Sequence, residues 1–169
     1  MRDSVTHMTL TKIGEISNTQ HHAHPLVFCD SRATYGGFAE FEMEIVQGYA
    51  PITLGDAKAC IVAGGDHGHV DAFSKDDGKV LLFVNDDRGE KANPSELAER
   101  SFAEIAVLGT VDVTSGTLAI GIAYNALNQP GRAAPDPSEI LHVATTVRSF
   151  EVRATEGDGG WRIELRAVG

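Results

Sequence analysis

Short apolar runs, each closed within a few residues by glycine or aspartate, constrain this chain more than any other feature. Pro25-Leu26-Val27-Phe28-Cys29 stops at Asp30-Ser31, and Ala59-Cys60-Ile61-Val62-Ala63 stops at Gly64-Gly65. Apolar runs this short, bounded by turn residues, read as strands. Val70-Asp71-Ala72-Phe73 leads through Lys75-Asp76-Asp77-Gly78 into residues 79–84. Asp-Gly between two β-rich runs marks a hairpin, because the turn needs positive φ. The same grammar returns near the end, where residues 150–154 alternate, 156–160 turn, and 161–166 alternate again. There Trp161, Ile163 and Leu165 share one face and Arg162, Glu164 and Arg166 the other, the pattern of a half-buried strand.

Residues 107–113 and 116–122 read as two further strands joined by the turn Thr114-Ser115-Gly116. One helix is expected from Pro94 to Ile105. Asn93 caps it, Pro94 suits its first position, and Leu97, Ala98, Phe102 and Ile105 follow at helical spacing. Residues 125–137 hold Pro130, Gly131, Pro135 and Pro137 and are expected to form a loop. Residues 38–45 alternate acidic and apolar side chains and lean toward a strand, though Phe38, Phe41 and Ile45 also fit a short helix. The expected fold is therefore mostly β: a single-domain β-sandwich of roughly eight or more strands with one short helix. The domain is expected to fill residues 1–169, with 1–8 as a flexible tail. Ile13-Gly14-Glu15-Ile16 followed by residues 25–28 parallels Leu108-Gly109-Thr110-Val111 followed by residues 117–120. That faint likeness would make 9–92 and 107–169 two similar halves.

A chain of 169 residues with 42% apolar side chains can bury one real core, so wholesale disorder is not expected. Its apolar runs are too short to span a bilayer, and residues 1–7 lack the apolar stretch of a secretory signal. A cytoplasmic location is expected. Cys29 and Cys60 have no Cys-x-x-Cys neighbour. They are expected as two buried reduced thiols, with a disulfide as the alternative.

Charge narrows the partners. With 24 acidic and 14 basic residues the net is −10. Such a surface repels phosphate backbones and anionic membranes, and it speeds encounter with a basic protein. The carboxylates that alternate at Glu40, Glu42 and Glu44 share one face of a strand. Together with Asp76-Asp77 and Asp86-Asp87 they form the expected acidic binding face, with Tyr49 as an aromatic anchor.

Catalytic machinery is not legible. Thr114-Ser115-Gly116 is not a nucleophile elbow, and no glycine-rich phosphate loop occurs. No cofactor is expected and an enzyme is not. The alternative is a metal site. His22 and His24, and likewise His67 and His69, stand at strand-like alternation and can share a face, with Asp66 or Asp30 as a carboxylate ligand. A solvated loop explains the same histidines. A third reading is a β-sandwich holding a small apolar ligand between its sheets.

Glu44-Ile45-Val46-Gln47-Gly48-Tyr49-Ala50, followed by Leu54-Gly55-Asp56-Ala57-Lys58-Ala59-Cys60, resembles a stretch of the competence-J family of small bacterial proteins. The resemblance runs on in order through the hairpin at 70–84 and more weakly through 108–123 and 147–154. It departs at Pro51, where the pattern has an aromatic residue, and in the long segment 125–137. The resemblance implies an inhibitor or immunity-type protein whose partner is a nuclease or toxin. Carboxylates would then stand where that enzyme expects phosphates.

Overall fold

The computed structural model describes residues 10–17, 26–33, 49–54, 56–62, 69–86, 103–122, 140–157 and 160–168. They form eleven strands: β1 (Thr11–Ser17), β2 (Leu26–Asp30), β3 (Tyr49–Leu54), β4 (Ala57–Val62), β5 (His69–Lys75), β6 (Val80–Asp86), β7 (Ala103–Asp112), β8 (Thr117–Ile122), β9 (Ile140–Ala144), β10 (Ser149–Gly157) and β11 (Gly160–Ala167). Six make one antiparallel sheet in the order β1-β5-β6-β11-β10-β7, and five make a second in the order β3-β4-β2-β8-β9. No helix occurs among the described residues. The mostly-β expectation holds.

Alternation along each strand decides what lies between the sheets. Phe28, Leu26, Leu118 and Ile120 from the five-stranded sheet meet Phe83, Leu81, Phe150, Val152, Ile163 and Leu165 from the six-stranded one in a single buried cluster. Phe28 and Phe83 touch edge to face at the middle of this layer, with centroids 5.2 Å apart and rings inclined by 70°. The sandwich is also buried on its outsides. Every residue of β2 is buried, and Val27, Cys29, Ala59, Ile61 and Ala119 form a second cluster on the far face of their sheet. Phe73, Leu82 and Val84 form a third on the outside of the six-stranded sheet.

The two strand orders share a symmetry. With β3 set aside, β1, β2, β4, β5 and β6 take the same relative places as β7, β8, β9, β10 and β11. The central pairs are β6 with β11 and β2 with β8, where Phe83 faces Ile163 and Phe28 faces Ile120. Both outer strands of the six-stranded sheet also kink alike. In β1 the register slips between Lys12 and Gly14, and in β7 between Val107 and Gly109, so Ile13 and Leu108 are the extra residues. These bulges tip each edge onto the other sheet. A Cβ on Gly14 would stand 2.5 Å from Leu141 Cδ1 of β9. A Cβ on Gly109 would stand 3.0 Å from Pro51 Cβ of β3 and 3.2 Å from Cys60 Sγ of β4.

Two expectations need correcting. The helix was expected to reach Ile105, yet strand β7 starts at Ala103, because Glu104 and Ala103 pair with Thr155 and Glu156 of β10. Its remainder, 94–102, and the segments 38–45 and 125–137 lie outside the described residues. Strand β11 buries Ile163 and Leu165 and exposes Arg166 as its alternation implies, but its outward Glu164 is only 5% exposed.

Gly109 has φ +145°, a conformation that disfavours any side chain, and the space above it is filled. Gly109→Ala should therefore cost about 1–3 kcal/mol of stability. Urea unfolding measures this, and an unchanged midpoint would mean that β7 is not seated against β3 and β4.

Candidate functional site

The acidic turn is formed as its sequence dictates. Asp76 and Asp77 both adopt φ 53° and Gly78 follows at φ 82°, a left-handed run that aspartate and glycine tolerate best. Gly78 N donates to Lys75 O at 3.2 Å and Lys79 N to Asp76 O at 3.0 Å, so the turn closes on itself. Both aspartates are exposed. Asp86 ends the same strand that this turn begins, six residues beyond Val80. At strand rise that separates it from the turn by about 20 Å. Asp76-Asp77 and Asp86 therefore stand at opposite ends of β6. Tyr49 opens β3 opposite Val62. Glu40, Glu42, Glu44 and Asp87 lie outside the described residues.

Of the expected metal ligands, His69 opens β5 opposite Ser17, while His22, His24 and His67 lie outside the described residues. Among the described residues no group of three or more His, Cys, Asp or Glu side chains could hold a metal ion. Asp30 does not serve as their carboxylate, since it ends β2 at the opposite end from the histidine segment. Its work is structural. Oδ1 accepts from Arg32 N at 2.8 Å. Oδ2 accepts from Thr114 N at 2.5 Å, Thr114 Oγ1 at 3.2 Å and Ser115 N at 2.8 Å. Ser31 N donates to Thr117 O at 2.9 Å beside it. A carboxylate only 2% exposed thus ties the end of β2 to the β7–β8 connection. Burial alone would raise its pKa, but the donors from Arg32, Ser115 and Thr114 outweigh it and hold it at about 2. No motif announces this carboxylate in the sequence; its only signal is a polar residue closing a wholly apolar run.

The outward face of the six-stranded sheet neutralises itself. Glu164 lies between Arg162, at 3.9 Å, and Arg166, which it also pairs. Arg153 meets Glu151 at 2.6 Å, and Lys12 meets both Asp71 at 3.0 Å and Glu15 at 3.2 Å.

The thiols are buried and free. Phe28 pairs with Cys60 across the β2–β4 ladder, so Cys60 shares the inter-sheet face with Phe28 while Cys29 points to the other. Opposite faces forbid a disulfide. Burial pushes both thiols up to about 12, which leaves them protonated and unsuited to nucleophilic work.

No protein-family model, no curated protein and no solved structure matches the chain.

Asp30 makes a prediction in pH. Its folded pKa lies below the ordinary 3.8, so the stability it adds is present above that value and is lost as pH falls toward about 2. Asp30→Asn should lower stability at pH 7 by about 1–3 kcal/mol and flatten the acid limb between these two values. Thermal melts across that range check it; parallel acid limbs for both proteins would contradict the assignment.

Proposed function

We propose that the protein is an acidic binding protein that neutralises a basic partner enzyme, with a nuclease as the partner class. The charge of the chain carries this reading. Its 24 acidic and 14 basic residues leave a net of −10. On the strands, the ion pairs of Glu164, Glu151, Asp71 and Glu15 cancel much of what is there. The sequence carries further carboxylates at Glu40, Glu42, Glu44 and Asp87. An acidic protein whose strand carboxylates are largely paired suits attraction of a basic groove and needs no reaction chemistry of its own. The likeness to competence-J proteins at residues 44–60 supports a nuclease as that partner.

The test begins with basic proteins captured from native lysate and ends with stopped-flow association. Replacing Glu40, Glu42 and Glu44 together by glutamine should slow association several-fold at low salt, with the melting temperature unchanged. The triple change is needed because one exposed charge contributes less than about 1 kcal/mol. Capture of only neutral or acidic proteins, or an unchanged rate, overturns the reading.

One observation favours a second reading, metal binding. Ser17 pairs with His69, and Leu26 pairs with Val62. The strand ends that flank residues 18–25 therefore lie beside those that flank 63–68. The first segment carries His22 and His24, the second carries His67, and His69 follows it. Imidazole ligands suit zinc, copper or nickel. Metal analysis after chelator-free purification should then find near-stoichiometric metal that His22→Ala or His67→Ala removes. Metal-free protein that takes up none on addition rejects this reading.

A further inference from the structure

A cavity of about 450 Å³ opens where the sheets part beside the β5–β6 turn. That volume lies within the usual range for small-ligand sites. Its lining is mixed and comes from both sheets, with Ile13 and Leu81 as apolar surface on one side and Val143 on the other. Leu81 is 1% exposed and closes the depth. The mouth is polar, formed by Ser74, Thr146 and Asp77. Two glycines are part of its lining. A Cβ on Gly78 would meet nothing within 4 Å, and one on Gly116 would only reach Thr145 O at 4.0 Å.

Charge sets the class of ligand. Asp77 is the one ionisable side chain among the described residues that line the cavity. Lys75 and Lys79 flank the same turn but do not line it. The whole chain, at −10, adds to the attraction for a cation. Apolar side chains beside a carboxylate match a ligand with a hydrocarbon stem and a cationic head. We propose that this cavity binds an apolar organic cation, an alkylammonium or alkylguanidinium group. The stem lies on Ile13, Leu81 and Val143, and the head meets the Asp77 carboxylate. Such a group arrives as a free small amine or as a lysine or arginine side chain of a basic protein. Only in the second case does the inference rest on the binding function proposed above.

Calorimetric titration with butylammonium, butylguanidinium, butanol and butyrate tests the site in the intact protein. Both cations should bind, butanol more weakly, and butyrate not at all. Asp77→Asn keeps the turn, because asparagine also tolerates φ 53°. It should weaken the cations about tenfold, the loss expected for one charge-assisted hydrogen bond, and leave butanol unchanged. Ala144→Trp, at another lining position, should block all of them. Failure of both cations to bind, equal binding of cation and butyrate, or an Asp77→Asn variant that binds as the parent does, overturns the proposal. With a captured basic partner in hand, competition by butylguanidinium assigns the site to a partner side chain. Probe binding without competition assigns it to a free amine. Probe binding with no basic partner captured supports the cavity while overturning the binding function.

Discussion

The edge-to-face contact between Phe28 and Phe83 is where the two sheets meet, and the surrounding order follows from it. Each ring sits on a central strand of its sheet, opposite Ile120 and Ile163 respectively. A fully buried phenylalanine contributes about 1.5–3 kcal/mol from apolar area, and an aromatic pair adds about 0.5–1.5 kcal/mol. Placed at the centre, that contact fixes which face of β2, β6, β8 and β11 points inward. Every neighbour in both sheets then inherits its register, because a slip of one residue would turn its apolar set outward.

From the centre outward, the sandwich closes at both sides and leaves its ends to other work. The bulges at Ile13 and Leu108 bring β1 toward β9 and β7 toward β3 and β4, with Gly14 and Gly109 at the points of closest approach. Bent edges of this kind are poor templates for pairing with another chain, and Pro51 protects β3 in the same way. The candidate residues that the structure describes stand at the two ends. One carries the Asp76-Asp77 turn and the cavity beside it, and the other carries His69, Asp86 and Tyr49.

The strands that the sequence reveals are those whose order is local. Ile163 and Leu165 alternate with charged residues and the hairpin turn lies next to them, so β10 and β11 are plain. Strand β3 is hidden by Pro51, which argues against a strand until its edge position is known. The start of β7 is hidden because Phe102 and Ile105 also fit a helix; pairing with β10 decides against it from 50 residues away, at Thr155 and Glu156. Alternation shows that Glu164 and Leu165 face opposite ways, but not that Glu164 is buried, since what covers a face is a tertiary fact. The cavity is illegible for the same reason: Ile13, Asp77, Gly116 and Val143 come from four separate parts of the chain. Composition alone shows the acidic character, and the structure adds that Glu164, Glu151, Asp71 and Glu15 are paired on the strands.

The claim that the net negative charge serves attraction of a basic partner is tested most directly by the salt dependence of association. The association rate with the captured partner is measured as ionic strength rises, shortening the Debye length from about 30 Å at 0.01 M to about 3 Å at 1 M. Steering by the net negative charge predicts a rate that falls steeply across this range while dissociation changes little. An association rate that stays flat with salt would contradict it.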